Sequence, residues 1–444
     1  MNNIRLNTRA IIEKFFDGIF LNILLKVKGI ISLPIIVNFF SKADLGMLSL
    51  WHSTSALLIG LYMLNIPDSS NRVILNLHKE NKHNLIADTI SSIFTFSFLM
   101  YFILTFFLSI LLVFFSDNIS FEFLAVLFTL IFVKILVKLG LFVFQIFQQT
   151  RSIIKAQILV EYGTLALMVM YVYLTDIRDI KHVALLFVPM AIFVSVYMIN
   201  TLRKEYSLRF LIDFTIIKKI LRISLFLLPS AYALIIIQNT DLLMIRYFWS
   251  LSEVGEYGFA LSLASIVGAL SLAISFFWYS SAVYASQRQL IKMLESINTF
   301  APIFLITVIL AYHFFSVPII SFVNHEYLNV FPTLQILIIG LFSNLNIQIL
   351  SGALFALKKE KLILKSIFIG VSVNIFLNLL LVPTYGIIGG AISTSLSYII
   401  ILIAQHIFIR NILIDFANLK NGLYFFFMLF MSISYILIIA LGNI

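Results

Sequence analysis

The sequence predicts an all-α, polytopic membrane protein, and three observations carry that prediction. Apolar runs of about 20 residues or more, the length that crosses a bilayer, recur from end to end of the chain. Hydrophobic residues make up 61% of the 444 residues and charged residues 11%, with a mean hydropathy of +1.06. Lys and Arg gather in alternate loops, the asymmetry that sets the orientation of helical membrane proteins. A transmembrane barrel would instead show short segments of alternating polarity.

In order, spans are predicted at residues 15–38, 45–66, 90–114, 121–147, 153–174 and 182–201, then at 219–248, 255–283, 298–321, 331–357, 362–382 and 386–410. A further apolar run covers 422–442. The polar start MNNIRLNTRAIIEK leads straight into the first span, so no cleavable leader is expected. Twenty-two of the 30 Lys and Arg residues fall in one set of loops, with Arg203, Lys204, Arg209, Lys218, Lys219 and Arg222 as the densest group. The opposite set holds only Lys42, Arg178 and Lys181, beside Asp44, Asp117, Asp176, Asp179, Glu253, Glu256 and Glu326. The basic set therefore reads as cytoplasmic and the acidic set as external. If the run at 422–442 crosses, the C-terminus lies outside.

The formal net charge of +10 raises the question of nucleic acid. Its placement in short loops between spans answers it, because no RNA- or DNA-binding pattern is formed. The absence of cysteine excludes disulfides, Fe–S clusters and thiolate zinc sites. Histidines are dispersed with no metal-ligand spacing, and no phosphate-binding Walker loop is present. No cofactor is expected. All external loops are short, which argues against a membrane polysaccharide polymerase or ligase, the enzyme alternative.

The chain also reads as doubled. Asp44-Leu45-Gly46 is repeated as Glu253-Val254-Gly255 at an offset of 209, and Phe147–Arg151 as Phe355–Lys359 at an offset of 208. Pro34 and Pro229 each sit in the first span of a half. Two six-helix bundles related by a pseudo-two-fold are expected, over residues 1–205 and 206–411, with an additional helix in 412–444.

Residues 374–400 read NIFLNLLLVPTYGIIGGAISTSLSYII. With Asn374, Asn378, Pro383, Tyr385, Gly386, Gly389, Ala391 and Thr394, this stretch resembles the motif of polysaccharide flippases, in the superfamily that also holds multidrug and toxin extruders and lipid II flippases. Asp241 with Glu253, Val254, Gly255 and Tyr257, and Pro34 with Asp44-Leu45-Gly46, add to the resemblance. The region 176–190 lacks the corresponding glycine element, so the halves are not expected to be identical. The resemblance implies alternating access by two lobes around a basic central cavity. Its implied cargo is an undecaprenyl-pyrophosphate-linked oligosaccharide, crossing the inner membrane for O-antigen, capsule or exopolysaccharide synthesis. The partners it implies are that lipid-linked substrate, membrane lipids, a polysaccharide polymerase and a chain-length regulator.

The residues themselves point the same way. A charge at bilayer depth costs roughly 2.5–3.5 kcal/mol on insertion scales, so intramembrane cations turn toward water or an anion. Lys134 and Lys138 lie four apart in the fourth span and share a helical face. Lys26 and Lys28 lie in the first span, where Lys26 shares a stripe with Asn22 and Gly29 while Lys28 points nearly opposite. With Arg246, these are the candidate pyrophosphate-binding residues; the alternative is that they snorkel or pair inside the bundle. Asp241 and Arg246 read either as a gate or counter-ion, or as an outer-interface cap beside Trp249. Glu161 reads as a partner of Lys155 or Lys138, or as a proton-linked carboxylate. Gln145, Gln149, Asn344, Asn374 and Asn378 suit sugar hydroxyls, and equally suit helix–helix bonding in lipid. A cation-coupled drug exporter of the same superfamily is the other transport reading. It should prefer an acidic interior, whereas five basic residues here face Asp241 and Glu161.

Overall fold

The computed structural model describes residues 24, 28–29, 31–80, 82–115, 120–146, 150–175, 178–205, 209–413 and 419–442. Among them the regular structure is helical. Residues 31–39 form α1, followed by α2 (Lys42–Met63), α3 (Ile66–Lys79), α4 (His83–Phe115), α5 (Phe121–Ile146), α6 (Thr150–Leu174), the short α7 (Ile180–Leu185) and α8 (Phe187–Glu205). Then come α9 (Phe214–Phe248), α10 (Leu251–Tyr284), α11 (Gln287–Val323), a 3-10 turn (His325–Val330), α12 (Phe331–Ala356), α13 (Glu360–Ile412) and α14 (Leu419–Leu441). Nine helical segments among the described residues are long and apolar enough to cross a membrane. The chain is a multi-pass membrane protein.

Contacts divide the chain into two compact units, Leu50–Ile235 and Met1–Ser49 with Ile236–Ile444. In the first, α5 is the central helix: Leu130, Ile131, Ile135, Leu139, Val143 and Phe144 are fully buried. On α4, Phe102, Phe106 and Phe107 are exposed, as lipid-facing residues must be when no water drives them inward. The sequence did not foretell α3, which leaves α2 by a break at Leu64 and Asn65. Both take positive φ, 47° and 55°, a conformation that costs roughly 1–2 kcal/mol at Leu64 and less at Asn65, since asparagine adopts it readily. The hydroxyl of Ser224 donates to the Leu64 carbonyl that the break exposes. Beyond the break, α3 buries Ile66 and Ile74.

In the second unit α12 is covered on nearly every side, with Leu334, Ile336, Ile339, Phe342 and Leu354 buried beside the polar Gln335, Ser343 and Asn346. The hairpin α13 wraps it. Its two arms meet at Gly386, which takes a φ of 52° that a side chain would strain. The Trp249 indole lies over Gly386 and donates to the Val382 carbonyl at 2.7 Å. The last helix, α14, is joined to α12 by the Tyr435 hydroxyl, which donates to Gln335 at 2.6 Å.

The predicted repeat is visible at the starts of α2 and α10. The backbone N–H and hydroxyl of Ser41 donate to Asp44, and those of Ser250 donate to Glu253, the same arrangement at the 209-residue offset. One turn further in, Gly46 lies against the Leu251 carbonyl and Gly255 against the Lys42 carbonyl. The two contacts are reciprocal and leave no room for a Cβ on either side. Lys42 reaches Glu256 at 2.7 Å and sits 5.2 Å from the Tyr327 ring centre. A second reciprocal pair lies nearby: Asn38 donates to the Val323 carbonyl and Asn324 to the Val37 carbonyl, each at 3.0 Å.

Candidate functional site

Two polar clusters lie within the apolar helices, one in each unit. The first is built on α5. One helical turn separates Lys134 from Lys138, and both line a cavity of about 380 Å³. Val137, Leu141 and Phe142 from α5, Pro67 from α3 and Phe187 from α8 complete its wall. The Lys134 ammonium donates to Ser55 at 2.6 Å and lies 3.3 Å from Nδ1 of His52, both on α2. Its charge is also felt by Glu161 on α6. Lys138 has no ion pair or hydrogen bond among the described residues. The face shared by two lysines in the sequence is thus a shared cavity in the fold.

The second cluster surrounds Asp241 on α9. The carboxylate is buried and accepts three hydrogen bonds: from Tyr257 of α10 at 2.5 Å, from Thr394 of α13 at 2.5 Å and from Asn378 of α13 at 2.7 Å. Asn374 donates to Thr394 at 3.2 Å, and Asn378 donates to Asn374 at 3.3 Å. The Asn378 carbonyl oxygen is buried with no partner of its own. No cation is paired with Asp241 among the described residues. Burying a carboxylate is expensive, and the three neutral donors that surround this one offset part of that cost.

The remaining candidates divide. Arg246 is exposed on α9 and makes no ion pair with Asp241. Five residues along a helix turn the two side chains about 140° apart. Glu161 is half-buried on α6, within electrostatic reach of Lys134. Asn344 is half-buried on α12. Asn374 and Asn378, unlike the others, are fully buried and belong to the Asp241 cluster. Lys28 is half-buried. Lys26, Gln149 and the side chain of Gln145 lie outside the described residues. Sequence reasoning missed His52 and Ser55 around Lys134, and Tyr257 and Thr394 around Asp241. The last two stand in the very motif segments quoted above, so the signal was present.

The fold and these residues define a class: a multi-pass helical membrane protein with a cationic cavity and a buried carboxylate cluster inside its helices. The fold is that of lipid II flippases and multidrug extruders. A structure titled lipid II flippase MurJ, inward closed conformation, superposes with a TM-score of 0.71 at 15% identity, over 97% of this chain and 98% of the other. An inward-facing multidrug resistance MATE family transporter matches with a TM-score of 0.63 at 12% identity, over 88% and 98% of the two chains. A transporter of the same superfamily from Pyrococcus furiosus, described as having a binding pocket of reverse polarity, matches with a TM-score of 0.56 at 12% identity, over 96% of each chain. In sequence, the chain is 29% identical over 189 residues to an uncharacterized membrane protein, MJ1068, of Methanocaldococcus jannaschii; the match covers 40% of this chain and 36% of that protein. No protein-family model matches the chain.

Proposed function

We propose that the protein is a flippase that carries an undecaprenyl-pyrophosphate-linked oligosaccharide from the cytoplasmic to the outer leaflet of a bacterial inner membrane. It works without catalysing a chemical step. The observation that supports this most is the pair Lys134 and Lys138 lining one cavity. A lipid pyrophosphate brings about two negative charges that cannot be exposed to hydrocarbon, and two fixed cations offset them. The likeness to a lipid II flippase fits the same cargo class. In this reading residues 1–205 and 206–411 are the two moving lobes, residues 412–444 are an appendage, and Asp241 takes up the driving cation, a proton or small alkali ion. The product feeds a polysaccharide polymerase and chain-length regulator, giving O-antigen, capsule or exopolysaccharide.

The test is the double substitution Lys134→Ala with Lys138→Ala. Surface polysaccharide should disappear while protein levels stay normal; unchanged polysaccharide would refute the assignment of the site. The Asp241 cluster also suits a cation-coupled exporter of cationic small molecules, the reading favoured by the MATE likeness. Under that reading the lysine substitutions leave efflux intact and Asp241→Asn abolishes drug resistance.

A further inference from the structure

The most covered helix of the second unit, α12, has one open stripe. From Thr333 to Leu354 every residue is buried except Leu341, Asn344 and Gln348. With 3.6 residues per turn these three fall within an arc of about 60°, so they form a single line along the helix. Two of the three are amides. The buried amides of α12 serve its packing: Gln335 accepts from Tyr435 at 2.6 Å and donates to Ser316 at 3.4 Å, and Asn346 donates to the Phe342 carbonyl at 3.0 Å. Asn344 and Gln348 make no hydrogen bond among the described residues. An amide that leaves water without gaining a partner is expensive. The faces that this unit turns to lipid are apolar, as at Phe300, Ile303, Phe314 and Phe315 of α11. The open stripe of α12 therefore borders water.

Its place in the repeat says what it meets there. Both α5 and α12 are 26 residues long, from Phe121 and from Phe331. The helices that follow them start at Thr150 and Glu360. Both pairs of starts are 210 residues apart, and at that offset Lys134 corresponds to Asn344 and Lys138 to Gln348. The same two positions carry cations in one repeat and neutral amides in the other. An ammonium group suits a phosphate. A primary amide offers two donors and an acceptor without charge, which suits hydroxyl groups.

We infer that Asn344 and Gln348 bind the hydroxyl groups of the saccharide on the lipid-linked cargo and so help to set which sugar is carried. The inference rests on the flippase reading above and adds to it a site for the neutral part of the cargo.

Calorimetry on the purified full-length protein in detergent tests it with three probes: geranyl pyrophosphate, and the same lipid joined through its pyrophosphate to N-acetylglucosamine or to galactose. At least one sugar-bearing probe should bind about tenfold tighter than geranyl pyrophosphate, the gain expected from one or two net hydrogen bonds. Asn344→Leu with Gln348→Met, close in volume to the wild-type pair, should erase that gain and leave the affinity for geranyl pyrophosphate unchanged. Equal affinity of the wild-type protein for all three probes would overturn the inference and leave the flippase reading standing. So would a gain that survives in the double variant; if that variant also changes from dimer to monomer in light scattering, the stripe is a contact between copies of the chain. Failure of all three probes to bind would overturn the flippase reading as well. The cysteine-free chain permits a second check. Asn344→Cys and Gln348→Cys should each react with a small water-soluble thiosulfonate, and a saturating sugar-bearing probe should slow that reaction at least fivefold more than geranyl pyrophosphate does. Inert cysteines, or equal slowing by the two probes, would overturn the inference.

Discussion

At the scale of single residues, the two charged clusters differ in what they leave unsatisfied. The Lys134 ammonium is bonded to Ser55, whereas Lys138 beside it in the same cavity has no hydrogen bond or ion pair among the described residues. Asp241 is the opposite case: three donors surround it, and no basic side chain among the described residues offsets its charge. Asp241→Asn should consequently separate coupling from folding. Two of its neighbours are hydroxyls, which can accept as readily as they donate, so the amide is accommodated and thermal stability in detergent should change by about 1 kcal/mol or less. Transport in proteoliposomes should fall at least tenfold and lose its dependence on an ion gradient. An Asn variant that still responds to the gradient would remove Asp241 from the coupling role. The motif positions of Asn374, Asn378 and Thr394 were legible in the sequence; that they converge on Asp241, more than 130 residues earlier in the chain, was not. Sequence spacing shows which residues share a face of one helix, and says nothing of which face of another helix they meet.

At the scale of elements, the crossing of α2 and α10 is made by backbone. Gly46 and Gly255 each face a carbonyl of the other helix, so Cα–H groups lie against carbonyl oxygens, a recurrent contact of close helix pairs. A methyl group at either position has no flexible side chain to push aside. Gly46→Ala and Gly255→Ala should each lower stability by about 1–3 kcal/mol, the usual cost of overpacking. The double variant should cost less than the sum, because one separation of the helices relieves both collisions. Thermal unfolding in detergent measures this, and neutral single variants would contradict it. The sequence marked Asp44-Leu45-Gly46 and Glu253-Val254-Gly255 as a repeat; that the two glycines meet face to face was not legible, because sequence spacing does not say which helices touch. It did not expose α3. The stretch IPDSSNRVILNLHK reads as a basic loop because its apolar residues are few, and the break before it depends on positive φ at two successive residues, which asparagine permits at 65 but leucine does not announce at 64.

At the scale of the whole molecule, the hydropathy pattern gave the helices closely. Predicted spans at 121–147 and 331–357 are helices at Phe121–Ile146 and Phe331–Ala356. The predicted boundary between residues 382 and 386 falls where Gly386 breaks α13. Membrane helices are legible to this degree because bilayer thickness sets their length and every backbone group must be bonded within the segment. Orientation follows from the loop charges, and the cysteine-free chain makes it directly measurable. Single cysteines at Ser286 and Lys358 should react with a membrane-impermeant maleimide only after the membrane is opened. Cysteines at Ser250 and Asn324 should react in intact cells. Reversal of this pattern would overturn the orientation and, with it, the direction of transport.

The hairpin at Gly386 bears on how the chain enters the membrane in the first place. Asn374 and Asn378 lie on the first arm, and Ser393 and Thr394 on the second; Ser393 donates to the Asn374 carbonyl at 2.9 Å and Asn374 to Thr394 at 3.2 Å. Taken singly, the first arm would present two amides to lipid, which finds no partner for them. Released from the translocon as a folded pair, the arms cover each other's polar groups before either meets acyl chains. The two arms are therefore expected to insert together: a chain truncated before Gly386 should integrate its first arm less fully than the complete hairpin in a glycosylation-mapping assay, and equal integration would contradict this.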